Sequence, residues 1–214
     1  MEKPPVRGLY VLTAPCPGGS EGLLRRVEQV LAGGARVIQY RDKTDESERR
    51  LREAAAIAER CRAAGALFLV NDDVELAAAS GADGVHLGRD DAALEKARAC
   101  MGERAVIGVS CYDSLERAAA LAAAGADYLA FGSFYSSPTK PQAVRAQPAL
   151  LAEARRLGRP LVAIGGITAA NAAPLVQAGA DALAVISSVF LAEDPQAAAH
   201  EFEVLFASTQ LECK

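Results

Sequence analysis

Eight short apolar runs, eight helical patterns between them and a length of 214 residues predict an α/β chain closed into a single (β/α)8 TIM barrel. The runs are continuous instead of alternating, as expected of parallel strands covered on both faces. A loose repeat supports the count: Ala64-Gly65-Ala66, Ser80-Gly81-Ala82-Asp83, Ala124-Gly125-Ala126-Asp127 and Ala178-Gly179-Ala180-Asp181 each precede a run. Glycine after a helix takes the left-handed conformation that ends it, and a short turn delivers the next strand. Parallel strands joined by helices also build open sheets, but eight units in this length, with no separate second half, favour the closed barrel. One domain covers 1–214, with an ordered core over about 8–207 and a frayed tail beyond.

Gly8 to Thr13 reads as the first strand, followed by a Pro/Gly-rich turn through Gly19. A helix from about Ser20 to Ala32 puts Leu23, Leu24, Val27, Val30 and Leu31 on one face, and Gly33-Gly34 stop it. The second strand lies in Ala35 to Lys43, apolar and β-branched at its front. An Ala-rich helix from Thr44 to Ala64 leads to strand three, Ala66 to Val70, and Asn71-Asp72-Asp73 opens the next helix as an N-cap cluster. Strand four is Gly84 to Leu87, with a helix from about Asp91. Strands five to eight are Ala105 to Ser110, Tyr128 to Gly132, Leu161 to Ile164 and Ala182 to Ile186; Pro195 starts the last helix.

Composition narrows the function classes. Net charge is −4, so no basic field favours nucleic acid or an anionic membrane. Trp is absent and aromatics are 5%, which removes the stacking platforms of single-strand binders. Five scattered cysteines without a Cys-x-x-Cys read as reduced thiols, neither zinc site nor disulfide frame. No signal-peptide pattern or membrane span stands out, so a soluble cytoplasmic protein is expected. Its oligomeric state, homo-oligomer included, stays open.

In such a barrel, chemistry collects where strands end and loops begin. Gln39, Arg41 and Lys43 recur at every second position, so an extended chain sends all three to one side. A planar fork and a point charge side by side suit a polyanion; on these residues alone a strand running out into solvent with ordinary surface charges fits somewhat better, and the other exits turn the balance. Further exits carry Asn71 and Asp72, His86 to Asp91, Ser110, the hydroxyl-rich loop Gly132 to Lys140, Gly165-Gly166-Ile167-Thr168, and Ser187-Ser188. Gly165-Gly166 before a helix near Ala169, with the amides around Ile186 and Ser187, matches the phosphate cradle built after strands seven and eight. Asp72 and Asp91 leave neighbouring strands; each alone reads equally as a helix cap, but together, opposite Arg41, Lys43 and Lys140, they favour a Mg²⁺-diphosphate seat. His86 reads as an interior histidine satisfied by its neighbours, and His200 as surface or packing.

The ordered set of exits resembles the thiamine-phosphate synthases. Gln39-x-Arg41-x-Lys43, Asn71-Asp72, His86-x-Gly88-x-x-Asp91, Gly108-x-Ser110, Thr139-Lys140, Ala163-Ile164-Gly165-Gly166-Ile167 and Ile186-Ser187 carry the likeness over roughly Gly8 to Ala198. It implies a cytoplasmic transferase joining 4-amino-5-hydroxymethyl-2-methylpyrimidine diphosphate to a (carboxy)thiazole phosphate, releasing diphosphate. Gln39, Arg41, Lys43, Asn71 and Lys140 would hold the pyrimidine diphosphate, Asp72 and Asp91 would bind Mg²⁺, and Ser110 would contact the pyrimidine amino group. Ser137, Thr139, Gly166, Ile186 and Ser187 would hold the thiazole phosphate. Arg41, Lys43, Ser110 and Lys140 form the implied catalytic set. Ser136-Ser137 stand where many members have Pro-Thr, Tyr135 where Phe is usual, and Arg89-Asp90 where Gln-Glu is frequent. Two rivals use the same barrel: a thiazole tautomerase, and a silent regulator that binds a phosphorylated ligand.

Overall fold

The computed structural model describes residues 3–88, 93–136 and 145–212. Eight parallel strands close on themselves in chain order: β1 (Gly8–Leu12), β2 (Val37–Tyr40), β3 (Leu67–Asn71), β4 (Gly84–Leu87), β5 (Val106–Tyr112), β6 (Tyr128–Phe131), β7 (Leu161–Ile164) and β8 (Ala182–Val185). The helices between and after them are α1 (Gly19–Ala32), α2 (Ser47–Ala64), α3 (Val74–Ser80), α4 (Ala93–Met101), α5 (Leu115–Ala123), α6 (Ala149–Ala154), α7 (Ala169–Gln177) and α8 (Pro195–Glu212). The predicted barrel is therefore observed. Helix α2 starts at Ser47 and not Thr44, because the Thr44 N–H is held by Asp42 Oδ1 at 2.7 Å in a local turn. Helix α8 is the last element, Pro195–Glu212.

Each Gly-Ala repeat ends a helix as its composition requires. Gly65, Gly81, Gly125 and Gly179 all have φ between 67° and 105°. The aspartates closing three of these repeats have a second use. Asp83, Asp127 and Asp181 each accept a strand N–H, from Phe68, Ile107 and Leu161 respectively, all at 2.8 Å. They lock the floor of the barrel, away from the strand exits.

Alternation along the strands sorts two cores. Leu9, Val11, Ile38, Phe68, Val85, Ile107, Leu129, Leu183 and their neighbours pack outward under the helices. Tyr10, Leu12, Val37, Leu67, Leu69, Val106, Tyr128, Val162 and Ala184 fill the interior. Along β2 the interior position after Val37 is Gln39, and along β3 the one after Leu69 is Asn71. On β4 and β5 the same step reaches His86 and Ser110. The lower barrel is thus apolar, and the layer at the carboxyl ends is polar.

Candidate active site

A cavity of about 680 Å³ opens at the carboxyl ends of the strands. Gln39, Arg41, Lys43, Asn71, Asp72 and Ser110 line it on one side; Gly166, Ile186 and Ser187 line it on the other. Residues far apart in sequence therefore share one mouth. Asp91, Ser137, Thr139 and Lys140 lie outside the described residues.

On the β2 side, the Arg41 N–H is fixed by Thr13 Oγ1 at 2.9 Å, and the Thr13 N–H by Gln39 O at 2.9 Å. Among the described residues neither Arg41 nor Lys43 forms a salt bridge. Two cations that face a cavity and form no salt bridge among the described residues suit an anionic ligand. On the β3 side the expected cap cluster divides its roles. Asp73 is the N-cap of α3, accepting the Leu76 N–H at 2.9 Å. Asp72 does not cap; it takes a left-handed backbone, φ 61°, with Oδ1 accepting the Gly88 N–H at 2.9 Å and Oδ2 the Asn71 Nδ2–H at 2.7 Å. Its exposed carboxylate stands at the cavity rim.

On the far side, Gly165 and Gly166 have φ of 107° and 65°. The segment after β6 presses against them: a Cβ on Gly166 would lie 2.4 Å from Ser136 O. These glycines are thus also required by close packing, a reason beyond approach to an anion. Asn171 on α7 secures the turn, accepting the Thr168 N–H at 2.9 Å and donating to Gly166 O at 3.0 Å. Tyr135 donates its hydroxyl to Asn171 O at 2.8 Å, a bond that phenylalanine could not make.

The sequence matches the family described as "Thiamine monophosphate synthase" over residues 9–189. The chain belongs to that family. It is 55% identical over 202 residues to the thiamine-phosphate synthase of Thiobacillus denitrificans, spanning 94% of this chain and 95% of that protein. The thiamine-phosphate synthase of Halorhodospira halophila is 53% identical over 204 residues, spanning 94% and 96%. Among solved structures, thiamine phosphate pyrophosphorylase from Pyrococcus furiosus superposes with a TM-score of 0.83 at 34% identity, covering 94% of this chain and 96% of that one.

Between the two sides of the barrel runs a hydrogen-bonded row, buried at its Gln39, Tyr10 and Tyr128 end and partly buried at His86 and Ser110. Gln39 Nε2 donates to the Tyr10 hydroxyl at 2.5 Å, the Tyr10 and Tyr128 hydroxyls are 2.9 Å apart, and Tyr128 lies 2.8 Å from His86 Nδ1. His86 Nε2 then meets Ser110 Oγ at 3.0 Å. Each hydroxyl has one proton, so with Gln39 donating first the bonds run one way and leave the imidazole proton on Nε2, facing Ser110. Gly108 makes the row possible. It sits between His86 and Tyr128 in the strand register, and a Cβ there would lie 1.8 Å from the Tyr128 ring.

His86 is thus an interior histidine satisfied by neighbours, as its position in β4 suggests, and it also lines the cavity. Tyr10 and Tyr128 fall within predicted strands, and only the register shows their hydroxyls meeting. Arg117 on α5 is likewise invisible in the motifs, yet it donates to Ser110 O at 2.9 Å and Gly88 O at 3.3 Å.

Burial pushes the His86 imidazole down to about 4, against a smaller opposing pull from Asp72. The unfolded chain takes up this proton first, since an unperturbed His titrates near 6.5. Stability linked to His86 is therefore complete above about 6.5 and declines as pH falls toward 4, by up to about 3 kcal/mol. Imidazole nitrogen shifts should show His86 neutral from pH 8 to 5; a charged ring at pH 6 would contradict this burial. The chain has two histidines, so the assignment is simple.

Proposed function

We propose that this chain makes thiamine phosphate by joining 4-amino-5-hydroxymethyl-2-methylpyrimidine diphosphate to a (carboxy)thiazole phosphate. The observation that carries this reading is one cavity with Arg41 and Lys43, which form no salt bridge among the described residues, beside Asp72 at one rim and the Gly166 and Ser187 loops at the other. The bond between the pyrimidine methylene carbon and the diphosphate oxygen breaks first, and its electron pair leaves with diphosphate. The thiazole nitrogen then gives its lone pair to that carbon, forming the new C–N bond; with the carboxylated thiazole, the carboxylate also leaves as CO2 and the electron pair of the broken C–C bond stays in the ring. No nucleophile or general base is needed, which agrees with the residues present. Arg41, Lys43 and Asn71, with Lys140, hold the diphosphate and take up the charge that builds on it. Ser110 contacts the pyrimidine amino group. Gln39 offers a buried Oε1 with no hydrogen-bond partner among the described residues. A ligand N–H there would remove the cost of about 1–3 kcal/mol that an unmet buried acceptor carries. Gly166, Ile186 and Ser187, with Ser137 and Thr139, receive the thiazole phosphate at the start of α7.

The one described donor suits Mg²⁺: Asp72 presents a hard carboxylate at the cavity rim, oriented by Asn71 and Gly88. Asp72 would hold Mg²⁺ with Asp91. When bound, the ion supplies positive charge to the diphosphate oxygens. A tautomerase would need the phosphate cradle but not the two cations. Both substrates supplied together with Mg²⁺ should release diphosphate and form thiamine phosphate, and chelation should suppress both. Ligand binding without diphosphate release under saturating conditions would point instead to a regulator.

A further inference from the structure

The segment that sends Gln39, Arg41 and Lys43 to the cavity has a second face, occupied by Tyr40 and Asp42. Both are taken up by α2. Arg49 Nη2 donates to Asp42 Oδ2 at 2.8 Å and to Thr44 Oγ1 at 2.7 Å, while Nη1 reaches both Glu53 oxygens at 2.9 and 3.0 Å. Its Nε donates to Glu46 at 2.8 Å. Glu53 is 4% exposed and also accepts the Tyr40 and Ser20 hydroxyls, each at 2.6 Å. Burial pushes the Asp42 carboxyl up, but hydrogen bonds from Thr44 and Arg49 outweigh it and hold the group below the usual carboxylate range.

Asp42 lies in sequence between the two cations of the diphosphate seat and is their nearest acidic neighbour along the chain. We infer that Arg49 and Glu53 are positioning residues for that seat: Arg49 draws Asp42 away on the opposite face, so that Arg41 and Lys43 stay uncompensated for a polyanion. Glu53 fixes the guanidinium in place. The fork geometry matters, because a lysine ammonium can reach one of these partners but cannot bridge all of them in a plane. The adjacent Arg50 repeats the arrangement at the next exit. It donates to Asp73 Oδ2 at 2.8 Å, beside Asp72. The start of α2 thus braces both the cation strand and the turn bearing the carboxylate.

This inference rests on the proposed diphosphate role of Arg41 and Lys43, and inorganic diphosphate with Mg²⁺ is the probe that separates the two. Titration calorimetry on the wild-type chain should show diphosphate binding; its absence would overturn the seat itself, and this inference with it. Arg49→Lys should weaken diphosphate binding about tenfold or more and raise KM for the pyrimidine diphosphate, with KM for the thiazole phosphate within about twofold. Adding Asp42→Asn to Arg49→Lys should restore most of the affinity, since the competing charge is then gone. A merely structural Arg49 would not be rescued this way. Glu53→Gln, which keeps the shape and removes the charge, should give a smaller loss of about threefold and tests the same point should Arg49→Lys not fold. Unchanged diphosphate affinity in folded variants, equal loss for both substrates, or no rescue by Asp42→Asn would overturn the assignment.

Discussion

Arg41→Ala lowers the rate of diphosphate release about 10²–10³-fold and leaves KM for the thiazole phosphate within about twofold. The expectation follows from where Arg41 stands. Its backbone N–H is fixed by Thr13, it lines the cavity, and it makes no salt bridge among the described residues. A cation already paired in the free chain would have to break that pair before helping a leaving group; this one does not. Charge on the departing oxygens grows as the carbon–oxygen bond breaks, so the guanidinium acts more strongly on the transition state than on the bound substrate. The loss should therefore fall mainly on kcat. Arg41→Lys should recover part of the rate, because it keeps the charge and loses the fork. Steady-state kinetics with each substrate varied in turn checks this. A rise in KM for both substrates with kcat unchanged would mean that Arg41 serves general binding.

Much of this arrangement is legible in the sequence because period-two alternation assigns residues to faces. Val37-Ile38-Gln39 already says that Gln39 shares the interior with Val37, and the barrel then brings Arg41 and Lys43 to the mouth. The Gly-Ala repeats fix strand starts through backbone conformation alone, and positive φ at Gly65, Gly81, Gly125 and Gly179 agrees. What sequence cannot supply is register between strands. Tyr10 and Tyr128 are 118 residues apart, and only pairing through Gly108 brings their hydroxyls together with His86. The Asn71-Asp72-Asp73 cluster is ambiguous for a related reason. Three polar residues before a helix all resemble caps, and the choice of Asp73 depends on the left-handed turn at Asp72. Arg49 and Glu53 fall in the predicted Ala-rich helix with no motif to mark them, since the partners that tie them to the strand and to α1 lie on other elements.

Gly166→Ala should strike the opposite side of the cavity, raising KM for the thiazole phosphate about 10–100-fold while sparing the pyrimidine diphosphate. Two separate costs fall at this position. Its φ of 65° disfavours a side chain by roughly 1 kcal/mol. The new methyl would also lie 2.4 Å from Ser136 O and 2.8 Å from the Tyr135 backbone carbon, which are main-chain atoms that cannot rotate away. The turn must move, and with it the start of α7 that Asn171 ties to Gly166 O. Gly102→Ala separates the two costs, because Gly102 has φ of 79° but a Cβ there meets nothing within 4 Å. That control should lose stability alone, and its kinetics should match the wild-type chain. Equal kinetic damage from both variants would trace the effect to general destabilisation. Selective damage at Gly166 would instead tie the cradle to the second substrate, because a turn displaced by about 1 Å disturbs the ligand it holds far more than one seated beside Arg41.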